Sequence, residues 1–188
     1  MIKPYKLFGI FFLLFFLALP FWTNRANAEP LFQDATDLFE RYSNAVQDVL
    51  LTGLSAVGAR YRPGGTEPDG GLDCSGFVQF VYREAAGLVL PRTAKAQSQQ
   101  GKAVDRADLK PGDLVFFNTM RRAFSHVGIY LGDSYFIHAP SSGGTVRLES
   151  MLNRYWQGRY NGARRLLQTE NDVAAFSDSG MTADSDGT

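Results

Sequence analysis

The chain has 188 residues, with 19 basic and 19 acidic side chains, two histidines and a single cysteine. That length suits one domain with a real hydrophobic core, and a net charge of zero gives no support to nucleic-acid or anionic-membrane binding. A single cysteine cannot pair within the chain, so it is either a buried small apolar residue or a reactive thiol.

Met1 to Ala28 reads as a secretory signal. Lys3 and Lys6 give a positive start, Leu7 to Trp22 is almost wholly apolar, and Ala26-Asn27-Ala28 supplies a small-x-small cleavage pattern. The competing reading is a membrane anchor, but the apolar run has 16 residues, short of the ~20 that span a bilayer. Cleavage after Ala28 removes Lys3, Lys6 and Arg25 and leaves 160 residues with 16 basic against 19 acidic side chains. No cysteine stands at the cleavage point to carry a lipid, so no stable membrane anchor is expected, and the protein is expected to be periplasmic or secreted.

From Pro30 to Val57 one broad apolar stripe, including Leu31, Leu38, Phe39, Tyr42, Val46 and Val49, has helical spacing. Arg62-Pro63-Gly64-Gly65 and Pro68-Asp69-Gly70-Gly71 punctuate a loop. A second helix is expected from about Ser75 to Ala86, and Thr93 can cap a third that stops at Gly101. Strands follow at Asp113–Phe117, His126–Leu131, Ser134–Ala139, Thr145–Leu148 and about Gly162–Leu167, with a tight hairpin at Gly132-Asp133. Helices first and strands later, joined by short turns, argue an α+β fold with helices packed on one side of an antiparallel sheet. Gln168 to Thr188 is rich in Ser, Asp, Gly and Thr and too poor in large apolar residues to offset ordering entropy.

Cys74 stands in Asp73-Cys74-Ser75-Gly76, at the start of the second helix. A helix N-terminus and a nearby imidazole both favour the thiolate. His126 opens one strand and His138 lies on the next, so the hairpin makes them plausible cross-strand neighbours, with His138 able to hold the ring of His126. The same three residues could bind zinc, but they spread over 65 positions and a fourth ligand would have to be an acid. Spacing alone leaves both readings open.

Seven motifs, in order, resemble the NlpC/p60 family of bacterial cell-wall peptidases, which have a papain-like fold. They are Arg60-Tyr61-Arg62-Pro63-Gly64-Gly65, Leu72-Asp73-Cys74-Ser75-Gly76-Phe77-Val78, Leu90-Pro91-Arg92-Thr93, Leu109-Lys110-Pro111-Gly112-Asp113, His126-Val127-Gly128-Ile129-Tyr130, Phe136-Ile137-His138-Ala139 and Asn161-Gly162-Ala163-Arg164-Arg165. The resemblance implies Cys74 as nucleophile, His126 as base and His138 as its orienter, with no metal and no cofactor. It further implies that Tyr61 and the Cys74 N–H serve the oxyanion and that Asp73 and Ser75 contact the substrate, a helix cap being the alternative for Asp73. Arg121 and Arg122 could meet substrate carboxylates, but a solvated loop is the preferred reading of both. The implied substrate is the peptidoglycan stem peptide, cut either between D-glutamate and diaminopimelate or at the cross-link between diaminopimelate and D-alanine. With no room for a wall-binding module, the reading leans slightly toward the cross-link and leaves both bonds open. Two rivals remain: a catalytically silent wall-binding or adaptor protein, and an acyltransferase. An adaptor partner is left open. The expected organisation is residues 1–28 signal peptide, 29–45 N-terminal helical extension, 46–168 catalytic domain and 169–188 disordered tail.

Overall fold

The computed structural model describes residues 29–119, 121–142 and 144–167, with side chains from residue 40. The expected signal segment and the expected disordered tail lie outside the described residues. Among the described residues no helix is long and apolar enough to cross a membrane.

Helix α1 runs Glu29–Ser55, so residues 29–45 and the start of the expected domain lie on one continuous helix. A small hairpin follows, β1 (Thr66–Glu67) against β2 (Gly71–Leu72), and then α2 (Cys74–Ala86) and α3 (Ala94–Gln97). The main sheet comprises β3 (Lys102–Val104), β4 (Leu114–Phe117), β5 (His126–Gly132), β6 (Tyr135–His138), β7 (Arg147–Ser150) and β8 (Tyr160–Arg165). A short helix, α4 (Arg154–Gln157), precedes β8. The strand order is β3-β8-β4-β5-β6-β7 and every pairing is antiparallel, as the α+β reading expects.

Local chemistry sets the boundaries. Asp73 caps α2 by accepting from Gly76 N at 2.8 Å, which starts the helix at Cys74, one residue earlier than its apolar spacing indicates. Gly87, at φ 64°, ends it in the left-handed conformation. Helix α3 stops at Gln97 rather than Gly101, because the chain turns there into β3, a strand too short to announce itself. The β5–β6 turn centres on Asp133 and Ser134, φ 48° and 63°, one residue beyond the expected dipeptide.

The sheet is covered on both faces. Leu114, Phe116, Val127, Ile129 and Ile137 face Val49 of α1 and Phe77, Val78 and Val81 of α2. Val115, Phe117, Phe136 and Ala163 face Met151 and Trp156. This second layer explains why all four residues of β4 are buried, where a one-sided sheet would alternate. It also gives the histidines a buried setting. His126 and His138 alternate with Val127 and Ile137 along their strands, so both lie on the Trp156 face, opposite the one that packs on the bodies of α1 and α2.

Candidate active site

The site forms where the start of α2 meets the start of β5. Its entry turn is tight: a Cβ on Gly76 would stand 2.0 Å from the Gly65 carbonyl oxygen, so only glycine fits there. The backbone N–H groups of Val127 and Ser75 lie near enough to the Cys74 sulfur to favour its thiolate. The thiol thus comes from the helix layer and meets the strand one residue after His126. Burial pushes the thiol's pKa up, Asp73 adds to the effect, and those two N–H groups oppose it. The resting form is therefore the thiol rather than the thiolate.

The two imidazoles meet. His126 Nε2 and His138 Nδ1 are 2.7 Å apart, with ring planes at 90°. They are not direct cross-strand partners. Ile129 pairs with Ile137, and continuing that register sets His138 across from Gly128. A Cβ on Gly128 would lie 3.1 Å from the His138 Cβ and 2.7 Å from the Ile137 oxygen. The missing side chain lets His126 reach diagonally to His138. Trp156 stacks on His126 at 5.5 Å and meets His138 edge-on at 5.0 Å. Burial lowers the pKa of both rings to about 3; each ring's neighbour charge, His138 for His126 and Arg147 for His138, adds to this, while Glu149 opposes it at His126. Both imidazoles are neutral at neutral pH.

Asp73 is fully occupied. It accepts from Gly64 N at 2.9 Å, Gly76 N at 2.8 Å, Ser75 Oγ at 3.2 Å and Arg92, whose Nη1 and Nη2 approach to 3.0 and 2.5 Å. Burial raises its carboxyl pKa, but Arg92 and the two N–H groups outweigh that, so it stays below the usual range. The helix-cap alternative accounts for its contacts. Ser75 Oγ also accepts from Arg92, at 2.9 Å. Tyr61 lies on the same side of the site: burial, then Cys74 and Asp73, raise its phenol, with Arg92 opposing.

An open cleft of about 1080 Å³ exposes Cys74 and is bordered by Arg92, Lys95, Arg122 and Phe124. Arg122 thus reaches the cleft, whereas Arg121 is a solvated loop residue at φ 55° that does not border it. Among the described residues no group of three or more His, Cys, Asp and Glu gathers as a metal site.

Three neighbours escaped sequence reasoning. Gln97, fully buried, donates to Ser75 O at 3.0 Å and Pro91 O at 2.9 Å, tying the first turn of α2 to the motif around Arg92. Trp156 and Glu149 surround the imidazoles from α4 and β7. Nothing in their local sequence marks them, since only tertiary packing brings them to the histidines.

A buried histidine pair beside a helix-start cysteine, on a six-stranded antiparallel sheet, defines an α+β domain of papain-like type. The NlpC/P60 family pattern matches residues 58–165, and the chain belongs to that family. It is 49% identical over 110 residues to the murein DD-endopeptidase MepS/murein LD-carboxypeptidase of Escherichia coli K12, covering 58% of this chain and 57% of that protein. It is 40% identical over 117 residues to the murein DD-endopeptidase MepH of the same organism, covering 61% and 43%. The match thus takes in only about half the length of these relatives. Among solved structures, an NlpC/P60 protein from Bacillus cereus superposes with TM-score 0.61 at 35% identity, covering 65% of this chain and 40% of that one. The peptidoglycan hydrolase RipB of Mycobacterium tuberculosis gives 0.60 at 27% identity, covering 69% and 68%.

Proposed function

We propose that this protein is an exported peptidoglycan endopeptidase that hydrolyses its substrate through a Cys74 thioester. The observation that carries this reading is the 2.7 Å contact between His126 and His138, at the start of the strand whose next residue, Val127, has its N–H near the Cys74 sulfur. His126 turns Nε2 to His138, which leaves Nδ1 for the thiol. As Sγ attacks the scissile carbonyl, the thiol proton passes to His126, and the imidazolium then delivers it to the leaving amine. Water, deprotonated by the same ring, cleaves the thioester. Because both partners rest neutral, proton transfer accompanies attack rather than preceding it. The oxyanion forms beside the first N–H of α2, which has no partner within the helix, and the Tyr61 hydroxyl is the second candidate donor to it.

The stem-peptide substrate is supported by the cleft as well as by the relatives' names. Stem peptides carry carboxylates, and Arg92, Lys95 and Arg122 border the opening beside Cys74. In this scheme Asp73 holds Arg92 and Ser75 in place rather than meeting substrate directly. For the bond, we favour the diaminopimelate–D-alanine cross-link, in keeping with two relatives named DD-endopeptidases. A Bacillus subtilis relative at 40% identity is named a γ-DL-glutamyl hydrolase, so the D-glutamate–diaminopimelate bond is the alternative.

Mass spectrometry of muropeptides from purified sacculi decides. Loss of cross-linked dimers with intact monomer stems is the expected product. Stems severed after D-glutamate would assign the other bond. Absence of cleavage by folded protein would favour the silent wall-binding rival. Activity should persist in the presence of a chelator.

A further inference from the structure

Glu149 lies on β7, outside every motif above, and it faces the back of the histidine pair. Its register partner is Phe136, which puts it on the sheet face that carries His138. Its Oε1 lies 3.5 Å from His138 Nε2. That nitrogen belongs to a fully buried ring and finds no hydrogen bond among the described residues.

We propose that Glu149 is a positioning residue that sets the direction of the proton between the two imidazoles, and so keeps Nδ1 of His126 bare for the thiol. This rests on the reading of His126 as the base. A neutral imidazole has one N–H and one lone pair. The 2.7 Å contact between the rings therefore holds one proton, and either ring can supply it. The bond is equally good both ways, so the decision falls to the far nitrogens. A carboxylate offers only lone pairs: it attracts an N–H and repels a second lone pair. At 3.5 Å the contact is long for a hydrogen bond, but in a buried setting it still orients a dipole. The proton of His138 accordingly stays on Nε2, Nδ1 of His138 accepts, and His126 donates from Nε2. In the reverse arrangement His126 carries its proton on Nδ1 and cannot take another from Cys74.

The carboxylate is well fixed for this task. Oε1 accepts from Arg147 Nε at 2.6 Å and pairs with its Nη2 at 2.6 Å, and Oε2 accepts from Trp156 Nε1. The indole that donates to Glu149 is the one that stacks on His126. One clamp therefore sets both the position of the base and its tautomer, the arrangement expected where an outer group orients a reacting histidine.

The two histidines are the only ones in the chain, so imidazole ¹⁵N NMR of the full-length protein reads just two rings, assigned with His138→Gln. The parent should show both protons on Nε2. Glu149→Ala should introduce the reversed form and lower kcat by at least about ten-fold with little change in KM; complete loss of the correct tautomer sets a ceiling of about 10⁴. Glu149→Gln, whose carbonyl can accept from Nε2–H, should restore most of the tautomer and the rate. Should Glu149→Ala fail to fold, Glu149→Asp carries the test, because it withdraws the charge by one methylene and should also admit the reversed form. Parent rings protonated on Nδ1, or an unchanged spectrum in the folded variant, would overturn the proposal. The spectrum is read on resting protein without substrate. Continued cleavage by Cys74→Ala would therefore defeat the thioester scheme and leave the tautomer result standing.

Discussion

Two buried polar clusters sit at opposite ends of β4, on the same face of the sheet. At its start, Asp113 takes a bidentate pair from Arg165 at 2.8 and 2.7 Å and accepts from Lys110 N at 2.8 Å, while Arg165 also donates to the Asp108 carbonyl at 2.9 Å. At its end, Phe117 pairs with His126, and the imidazoles lie there neutral, with His138 Nε2 short of a hydrogen bond. The first cluster is charged, with every charge matched by geometry, and joins β4 to β8. In the second the two imidazoles are themselves neutral and leave polar capacity unused. A fully satisfied pair gains nothing from further chemistry, whereas a neutral ring with a spare lone pair can take a proton. On the proposed function one cluster serves the fold and the other the reaction, although burial is similar in both.

Breaking the reactive cluster should have the largest effect. Cys74→Ala should lower cleavage of sacculi by at least about a thousand-fold, and His126→Ala by nearly as much, because such groups act as a unit. Circular dichroism and the unfolding midpoint of Cys74→Ala should match the parent. Comparable trimming by either variant would mean the second cluster is structural too.

The opposite pattern is expected at the other end of the strand. Asp113→Ala leaves the Arg165 guanidinium buried without its partner and should cost about 3–5 kcal/mol of stability. Thermal unfolding should fall by roughly 10 °C for a domain of this size. The activity of the fraction that remains folded should hold. A stable Asp113→Ala protein with impaired kcat would erase the distinction.

Acid sharpens the contrast. Burial keeps both histidines unprotonated down to about pH 3, but once unfolded each binds a proton below about 6.5. Unfolding therefore takes up protons in acid, so their contribution is complete above about pH 6.5 and is lost as the pH falls toward 3. Each ring accounts for about 1.4 kcal/mol per pH unit. His138→Gln should remove one ring's share of that slope, read from urea midpoints at pH 7.5 and 5.5. The same variant should lose only about ten-fold in rate, because an amide can still hold the ring of His126.

The smallest effect concerns the thiol alone. With Cys74 pushed up by burial and by Asp73, its alkylation by iodoacetamide should keep rising through pH 8. A plateau already reached below pH 7 would indicate a resting thiolate–imidazolium pair and contradict the neutral site.

Much of this organisation was legible along the chain. The apolar stripe around Val46 and Val49, the turn residues and the order of helices before strands defined the α+β class, because periodicity and turn chemistry are local. Cys74, His126 and His138 stood out as candidates because their residue types are scarce here and each stands at an element boundary or one hairpin away. What local pattern cannot carry is contact between distant segments. The second covered face of the sheet, made by Met151 and Trp156, turns β4 from an alternating strand into a buried one. The diagonal reach across Gly128 depends on register, which a bulge near Tyr130 shifts. Asp73 reads in sequence as a cap or a substrate contact; the approach of Arg92 fills its carboxylate and favours the cap. Glu149 and Trp156 gain their relation to the imidazoles only when β7 and α4 fold over the sheet. The sequence by itself determined which residues could do chemistry. Tertiary structure decided which are charged, which are neutral and which are held, because burial and distance are properties of the packed chain.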